Sequence, residues 1–299
     1  MTTRRRGGRG ASADSRAAPR VRVAFQGELG AFSEDAVRAL FGEAAEPVPR
    51  REFREVGVAV VAGEVEYGLL PIENTLAGSV VTSYDVLAAE PLRVIGEVIV
   101  PIHHCVLGLP GSRLAGVRRV LSHPVALAQC TRFLLEHPEI EALAVYDTAG
   151  AAREVAERRD ASVAAIAGRR AADRYALEIL AHDIEDRPDN QTRFLAVVRQ
   201  EHLPAPAGAD PGAARKTALL VETENVPGAL VHVLLPFASR GINLSKLESR
   251  PGAEPWTYRF FMELEADAGT AAAREALAEV SRRATSLRVL GSYPKWMPR

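Results

Sequence analysis

The sequence has little of several features that mark special classes of protein. Two cysteines in 299 residues, Cys105 and Cys130, are too few for a disulfide-stapled fold and do not have the spacing of a zinc site. A formal net charge of -1 gives no reason to expect nucleic acid or an anionic membrane as a partner. No apolar run is long enough to span a membrane. We therefore expect a cytoplasmic α/β protein, long enough for two domains.

Residues 1–20 contain six arginines among Gly, Ala and Ser, without the apolar core of a secretory signal. Asp14 and the short length argue against an organelle transit peptide. We expect this tail to be disordered, because it has too little apolar surface to form a core.

From residue 21 to residue 199, short apolar strands alternate with polar turns and helical stretches, a pattern that favours parallel sheet. Polar side chains follow several of these strands, and the carboxyl ends of parallel strands are where ligands bind. Ser33 has the character of a helix N-cap, and Gly78-Ser79 is expected to open another helix. Each turn could also be only a helix cap; the set of them together makes a lined crevice more credible.

The segment Asp189-Asn190-Gln191-Thr192-Arg193-Phe194 runs directly into an apolar strand. Thr192 and Arg193 would therefore be a hydroxyl and a planar cation held at the start of a rigid element, which suits an anionic substrate. The alternative is an ordinary turn and strand, with Arg193 in a surface ion pair.

Other reactive side chains are interpreted as structural. His103, His104 and Cys105 are adjacent, and neighbouring strand residues point to opposite faces, which disfavours shared metal ligation. Ser122 and His123 are not an obvious nucleophile and base, because sequence neighbours seldom face each other and no GxSxG elbow is present.

Residues 200–215 are rich in Pro, Ala and Gly and are expected to be a solvated linker. Residues 216–299 then read as strand, helix, strand, strand, helix, strand, which is the order of a ferredoxin-like βαββαβ sandwich. Pro236 inside the first helix should kink it, because proline removes one backbone hydrogen bond.

Several motifs, in order along nearly the whole chain from residue 21, resemble those of the prephenate dehydratase family with a C-terminal ACT regulatory domain. They are Gly27-Glu28-Leu29-Gly30-Ala31-Phe32-Ser33-Glu34, Pro71-Ile72-Glu73-Asn74-Thr75, His104-Cys105, Ser122-His123-Pro124, Gln129-Cys130, Asp147-Thr148-Ala149, Asn190-Gln191-Thr192-Arg193-Phe194, Gly228-Ala229-Leu230-Val231 and Glu248-Ser249-Arg250-Pro251. The resemblance implies a two-lobed, periplasmic-binding-protein-like catalytic domain with its site in the cleft.

By this resemblance Thr192 is the key catalytic residue. The other implied catalytic residues are Glu73, Asn74 and Ser122. The implied substrate-binding residues are Ser33, Thr75, Gln129, Asp147, Arg193 and Phe194. Val125 stands where the family usually has Gln, which puts one polar contact in doubt, and Ala31 and Gln191 are milder departures.

The implied reaction removes water and carbon dioxide from prephenate, a dianion, to give phenylpyruvate for phenylalanine biosynthesis, and it needs no metal or organic cofactor. Thr192 would donate a hydrogen bond to the leaving hydroxyl, and the proton would be supplied by a relay from Glu73, Asp147 or a water. Helix N-termini and Arg193 would bind the remaining carboxylate. Two alternatives are arogenate as the substrate, giving phenylalanine directly, and a non-catalytic amino-acid sensor.

The ACT resemblance implies allosteric control by phenylalanine, bound between two copies of the chain in a homo-dimer or homo-tetramer. The implied effector-binding residues are Gly228, Ala229, Leu230, Val231, Asn243, Glu248, Ser249 and Arg250. Gly228 would expose helix N–H groups to a carboxylate. The alternative is that this domain only dimerises the enzyme.

Overall fold

The computed structural model describes residues 21–201, 213–252 and 254–297. The tail predicted at residues 1–20, and most of the linker predicted at 200–215, lie outside these ranges. Within them no helix is long and apolar enough to cross a membrane.

The first lobe is built from residues 22–101 and from a later strand, β11. Its elements are β1 (Arg22–Gln26), α1 (Phe32–Phe41), β2 (Glu46–Arg50), α2 (Phe53–Ala62), β3 (Tyr67–Asn74), β4 (Gly78–Ser79), α3 (Val81–Ala89), β5 (Leu92–Pro101) and β11 (Gln191–Arg199). The sheet order is β2-β1-β3-β11-β5, with β4 paired to β3. β1, β2 and β3 are parallel, while β11 is antiparallel to both of its neighbours.

The second lobe is continuous in sequence. Its elements are β6 (Cys105–Gly108), a 3₁₀ turn (Leu114–Gly116), β7 (Arg119–Ser122), α4 (Pro124–Ala128), α5 (Thr131–Glu136), β8 (Glu141–Ala144), α6 (Thr148–Arg158), β9 (Val163–Ala167), α7 (Arg169–Tyr175) and β10 (Glu178–Ala181). The sheet order is β10-β6-β9-β7-β8. The chain crosses between the lobes twice, after β5 and before β11, and each crossing leads into a strand inserted antiparallel inside a sheet. The expected two-lobed fold is confirmed.

The C-terminal domain has the expected βαββαβ order. Its elements are β12 (Arg215–Thr223), α8 (Ala229–Ala238), β13 (Leu244–Pro251), β14 (Tyr258–Leu264), α9 (Ala271–Arg283) and β15 (Ser286–Pro294). The antiparallel sheet has the order β13-β14-β12-β15. Its helices pack on one face around Val233, Phe237 and Val280, which are fully buried.

The proline inside α8 is compensated by a side chain. Pro236 has no N–H to donate to the carbonyl of His232, four residues earlier. Arg283 Nη1 of α9 donates to that oxygen instead, at 3.2 Å. α8 therefore continues past Pro236 to Ala238.

The other face of the C-terminal sheet lies against the first lobe, and the two share one apolar core. Phe261 packs against Tyr84 of α3 in a tilted arrangement, with ring centroids 4.9 Å apart. Ala218, Leu220 and Leu290 are buried in the same cluster as residues of β3, α2 and β11. β15 approaches β5 so closely that a Cβ atom at Gly291 would overlap the carbonyl oxygen of Val94.

Two local expectations were wrong. α1 begins at Phe32 with Ala31 as N-cap, and Ser33 makes no capping hydrogen bond. Gly78 and Ser79 form the short strand β4 instead of opening a helix, because they pair with Glu73 and Asn74 at the end of β3. α3 begins only at Val81.

Candidate active site

A cleft of about 440 Å³ lies between the two lobes, within the size range of small-molecule sites. Residues from both lobes line it, among them Ser33, Asn74, His104, Gln129, Tyr146, Asp147, Thr192 and Phe194. The N-terminal ends of α1, α3, α4 and α6 all reach its wall. Free backbone N–H groups at helix N-termini favour an anion, so the cleft suits a carboxylate-bearing ligand.

The register of β3 and β11 decides which predicted residues meet in this cleft. Thr192 is paired with Asn74, and Arg193 is paired with Glu73. Because successive side chains of a strand point to opposite faces, Thr192 and Asn74 share one face and Arg193 and Glu73 share the other. The cleft lies on the face of Thr192.

The hydroxyl of Thr192 is hydrogen-bonded in a defined direction. Asn74 Nδ2 donates to Thr192 Oγ1 at 3.0 Å. Asn74 is held in turn by the backbone, since its Oδ1 accepts from the N–H groups of Leu76 and Ala77 at 2.9 and 2.8 Å. The hydroxyl proton of Thr192 is therefore free to be donated to a bound ligand.

Asp147 is a buried acid on the opposite wall of the cleft. It is the N-cap of α6, and its Oδ1 accepts from the backbone N–H of Gly150 at 2.8 Å. Burial raises the pKa of the Asp147 carboxyl, although backbone N–H bonds act in the other direction. Asp147 is thus the cleft acid that protonates more readily than an ordinary aspartic acid.

The glycines of the first turn bring the lobes together. A Cβ at Gly27 would be 3.1 Å from Asp147 Oδ2, and a Cβ at Gly30 would be 3.0 Å from the Cα of Ala171 in α7. Both glycines have positive φ angles, 117° and 95°. Their conformational freedom therefore serves the approach of the second lobe, in addition to the expected approach of a ligand.

Two predicted site residues, Ser122 and Thr75, do not line the cleft. Ser122 is fully buried, and its hydroxyl donates to the carbonyl oxygen of Ile166 at 2.6 Å, joining β7 to β9. Thr75 ties the β3 turn to the segment before β11: its Oγ1 accepts from Gln191 N at 3.0 Å and donates to Asp189 O at 3.1 Å. Both residues support the site from outside the cleft.

Glu73 and Arg193 face the C-terminal domain and belong to a charged cluster formed by Glu73, Glu97, Arg193, Lys216, Lys246 and Glu263. Arg193 Nη1 is 2.8 Å from both oxygens of Glu263 and 3.1 Å from Glu97 Oε2. Lys246 Nζ is 2.8 Å from Glu73 Oε1. Burial would raise the pKa of Glu73, but Lys246 and Arg193 outweigh it and lower the pKa. Arg193 therefore does not point into the cleft, where it was expected to bind the substrate carboxylate. Glu73 likewise is not placed to relay a proton to Thr192.

The predicted effector residues divide into two groups. Gly228 to Val231 form the exposed or half-buried start of α8, with Gly228 as N-cap at a φ of 83°. On β13 the side chains alternate: Glu248 Oε2 accepts from the hydroxyl of Ser79 at 2.6 Å and Arg250 lies 3.5 Å from Asp85, while Ser249 is exposed. Asn243 is bonded to Glu265 at 2.9 Å.

Sequence reasoning did not assign site roles to His104, Tyr146 and Asn190. His104 is buried beside Phe32, and its Nε2 bonds to Gln129 Oε1 at 3.0 Å. Tyr146 bonds to Glu28 across the cleft mouth. Asn190 is fully buried behind Thr192. His104 and Asn190 lie within recognised motifs and Tyr146 directly precedes one, and this was the signal available.

One cluster outside the cleft has the donor types of a metal site. His103, Asp183 and Glu185 offer ligand atoms within 4.8 Å of one another at the crossings between the lobes. His103 Nδ1 is 2.7 Å from Glu185 Oε1, so the pair is satisfied as a hydrogen bond. This geometry gives no reason to expect a metal in the reaction.

A two-lobed α/β cleft followed by a ferredoxin-like domain defines a class of two-lobed cleft proteins, and comparison with known families identifies the particular family. The family model described as prephenate dehydratase matches residues 23–202, and the ACT domain model matches residues 217–282. The chain belongs to the prephenate dehydratase family with a C-terminal ACT domain.

Relatives and solved structures agree with this family. The chain is 42% identical over 287 residues to arogenate dehydratase/prephenate dehydratase 2, chloroplastic, of Arabidopsis thaliana, covering 92% of this chain and 73% of that protein. A prephenate dehydratase from Arthrobacter aurescens in complex with L-Phe has a TM-score of 0.84 and 35% identity, covering 92% and 90% of the two chains. A quorum quenching acylase, GqqA, has a TM-score of 0.82 and 35% identity, covering 91% and 97%.

Proposed function

We propose that this chain is a carbon–oxygen lyase that converts prephenate to phenylpyruvate, with loss of water and carbon dioxide, in phenylalanine biosynthesis. The observation that carries the proposal is the Thr192 hydroxyl at the cleft wall, which accepts a hydrogen bond from Asn74 at 3.0 Å and has its own proton left to donate. A positioned donor is what a poor leaving group such as hydroxide requires.

The bonds that break and form in prephenate determine which groups the protein must provide. The bond from the ring to its carboxylate breaks, and the electron pair moves into the ring. The ring then expels the hydroxyl on the opposite carbon with its bonding pair, and that oxygen takes one proton to leave as water. Aromatisation drives the reaction, so the enzyme mainly has to stabilise the departing oxygen. Thr192 donates the hydrogen bond to that oxygen.

Asp147 is our proposed source of the proton. It lines the cleft, and burial raises the pKa of its carboxyl, which increases the protonated fraction. Glu73 is unsuited to the same role because Lys246 and Arg193, opposing the effect of burial, lower its pKa and hold it as a carboxylate. The reaction needs no cofactor to accept electrons, because the substrate is neither oxidised nor reduced overall.

Backbone groups are the proposed recognition elements for the substrate carboxylates. The helix N-termini at Ser33, Val80 and Thr148 reach the cleft wall, whereas the guanidinium of Arg193 is bonded to Glu97 and Glu263 on the other side of β11. Dipoles of this kind favour an anion without placing a full positive charge next to the carboxylate that must leave.

Arogenate dehydration is the second candidate, since the relative from Arabidopsis thaliana is named for both activities. The two acids differ in an amine or a keto group away from the reacting ring, so Thr192 would act identically. An acylase is less well supported: acyl transfer needs an activated nucleophile, and Thr192 Oγ1 faces an amide donor instead of a base.

The test is incubation of the pure chain with prephenate, arogenate and an N-acyl amide in parallel. Phenylpyruvate absorbance, phenylalanine and released amine are measured in the three reactions. Turnover of either ring acid, without amide cleavage, supports the dehydratase. Amide cleavage alone, or binding of the acids without turnover, would contradict it; the latter outcome is that of an amino-acid sensor.

We also propose that phenylalanine is an allosteric effector bound at the ACT domain of a homo-dimer or homo-tetramer working in the cytoplasm. The relative solved with L-Phe supports the ligand. Contacts of β13 with the first lobe connect the effector-binding segment to the cleft, since Lys246 and Glu248 both bond to Ser79 at the cleft wall. A phenylalanine titration that left prephenate turnover unchanged would refute this regulation.

A further inference from the structure

Three side-chain amides at the cleft wall, two of which line the cleft, form a closed ring of hydrogen bonds, called here the amide ring. Asn74 Nδ2 donates to Asn190 Oδ1 at 2.8 Å. Asn190 Nδ2 donates to Gln129 Oε1 at 3.0 Å. Gln129 Nε2 donates to Asn74 Oδ1 at 3.3 Å. The ring joins β3, the end of α4 and the segment before β11, and so it spans both lobes.

The direction of donation around the amide ring is fixed by the backbone. The N–H groups of Leu76 and Ala77 point at one atom of the Asn74 amide, and a backbone N–H can only donate. That atom must therefore be the oxygen, which places the nitrogen toward Asn190 and Thr192. Once Asn74 is oriented, only one orientation of Asn190 and of Gln129 pairs every donor with an acceptor.

His104 adds a second constraint on the same ring. Its Nε2 lies 3.0 Å from Gln129 Oε1, which already accepts from Asn190. An amide oxygen only accepts, so the imidazole proton is on Nε2. The imidazole of His104 is buried edge-on against Phe32. Desolvation lowers the pKa of this imidazole and keeps it neutral. The oxygen of Gln129 thus accepts from two donors, His104 and Asn190. If the Gln129 amide rotated by 180°, its NH₂ group would face both of these donors without an acceptor.

The amide ring determines what Thr192 can do. Asn74 Nδ2 donates one N–H to Asn190 Oδ1, and its second N–H points toward Thr192 Oγ1 at 3.0 Å and Gln191 O at 3.1 Å. Within residues 21–201, 213–252 and 254–297 the Thr192 oxygen makes no second hydrogen bond. If Asn74 were turned over, its oxygen would attract the hydroxyl proton and Thr192 would donate into the wall. The orientation of the amides therefore decides whether the proton is available to the cleft.

We propose that Asn190 and His104 are positioning residues that hold the amide ring in the single orientation leaving the Thr192 proton free for the substrate. Neither touches the reacting atoms; both act through Gln129 and Asn74. The inference deepens the proposed dehydratase function and rests on it.

The first test is Asn190→Asp, which replaces the N–H donor facing Gln129 by a carboxylate oxygen. We expect kcat for the ring acid to fall roughly 10- to 100-fold, as for other residues that orient a catalytic group, with KM nearly unchanged. As the pH falls from about 8 to 5 the carboxyl protonates, donates to Gln129 and restores kcat. The nearby titratable groups are His104, which shares the Gln129 oxygen, and Asp189, which is paired with Arg187 at the surface.

Gln191→Glu is the matched control, since it adds a carboxylate one residue away at an exposed side chain outside the amide ring. We expect its kcat and pH profile to match those of the unmodified chain. An Asn190→Asp profile that stays parallel to the control at every pH would overturn the proposal.

The second test compares His104→Gln with His104→Leu. The glutamine can place an N–H where Nε2–H lies, and leucine cannot. We expect the glutamine variant to keep most of kcat and the leucine variant to lose about tenfold, with equal KM. Equal kcat values in the two variants would contradict the role of His104, whichever value they share.

A readout independent of turnover separates this proposal from the function on which it rests. If the unmodified chain turns over neither ring acid, the proposed function fails. Side-chain amide exchange in ¹⁵N-labelled protein then still reports the ring: slow exchange at Asn74, Gln129 and Asn190 that becomes fast in Asn190→Asp supports it. Fast exchange in the unmodified chain overturns it.

Discussion

The two faces of β3 and β11 carry opposite chemistry within one pair of strands. On the cleft face, Asn74 and Thr192 belong to a neutral network in which hydrogen-bond direction is fixed. On the other face, Glu73 and Arg193 belong to the charged cluster against the C-terminal domain. The neutral amides fix the direction of each hydrogen bond beside Thr192, whereas the charged side chains connect the first lobe to the C-terminal domain by charge-assisted hydrogen bonds.

Because the two faces share the same strands, a movement of the C-terminal domain is transmitted to Thr192 across a single peptide bond. Thr192 and Arg193 are adjacent, so a shift of the C-terminal domain that moves Arg193 acts on the strand that carries the hydroxyl. The same holds for Asn74 and Glu73 on β3, and Lys246 of β13 contacts Glu73 directly. Five changes distinguish the two faces.

Thr192→Ala should have the largest effect on turnover. We expect kcat to fall roughly 10²- to 10⁴-fold, because the donor to the leaving hydroxyl is lost. Thr192→Ser, which keeps the hydroxyl, should retain far more activity. Substrate affinity by calorimetry and the unfolding midpoint should change little in either variant. Near-normal turnover by the alanine variant would remove Thr192 from the mechanism.

Arg193→Met should have the largest effect on stability. It leaves two buried carboxylates, Glu97 and Glu263, with Lys216 as their remaining cation, and removing one partner of a buried pair costs about 3–5 kcal/mol of unfolding free energy. Urea denaturation measures the loss. Arg187→Met is the control, because its pair with Asp189 is exposed and should contribute little. Equal unfolding curves for the two variants would contradict the importance of the charged cluster.

Gly291→Ala tests the docking of the C-terminal domain without changing any charge. The new methyl group would overlap the carbonyl oxygen of Val94, so β15 must move away from β5. We expect a loss of about 1–3 kcal/mol in unfolding free energy. Gly96→Ala is the control: Gly96 lies on β5, the strand of Val94, and a methyl group there has no atom within 4 Å. Its loss of unfolding free energy should be much smaller.

Lys246→Met tests the route from the effector segment to the cleft. The substitution removes the hydrogen bonds of Lys246 to Glu73 and Ser79, while Glu248 of β13 keeps its own bond to Ser79. We expect the factor by which phenylalanine changes turnover to fall about fivefold or more, while turnover without phenylalanine changes little. Lys295→Met, whose pair with Glu265 lies within the C-terminal domain, should leave the phenylalanine response intact. Similar responses in both variants would exclude this route.

The smallest effect concerns acid stability. Lys246 and Arg193, opposing burial, lower the pKa of Glu73 below its usual 4.5. Its contribution to stability is therefore present above pH 4.5 and is lost as the pH falls through the folded-state pKa. In Glu73→Gln the decline of the thermal midpoint below that pH should be shallower than in the unmodified chain. An identical decline of the thermal midpoint in both proteins would show that the ion pairs of Glu73 do not contribute to the pH dependence of stability.

The sequence was sufficient for the fold and for part of the candidate site. Strand and helix alternation predicted the lobes, and the βαββαβ order of the C-terminal domain is confirmed. Thr192, Asn74 and Gln129 were assigned to the cleft from motifs and do line it. Their catalytic roles stay predictions that the kinetic tests above address.

The remaining site residues could not be placed because motifs do not state which face of a strand is covered. Alternation along β11 already implies that Thr192 and Arg193 point apart. Which of them faces the substrate depends on where the C-terminal domain packs, and that contact joins residues far apart in sequence. Asn190 escaped notice for a related reason: its partners Asn74 and Gln129 are 116 and 61 residues away.

The position of β11 also sets the order in which the molecule can be assembled. β11 lies between β3 and β5, so without it β5 has no neighbour in the sheet of the first lobe. A nascent chain that has reached residue 190 contains every strand of the second lobe, but its first lobe is still split in two. The residue proposed to do the chemistry thus arrives with the strand that completes the first sheet, and the catalytic cleft cannot exist before that strand is inserted.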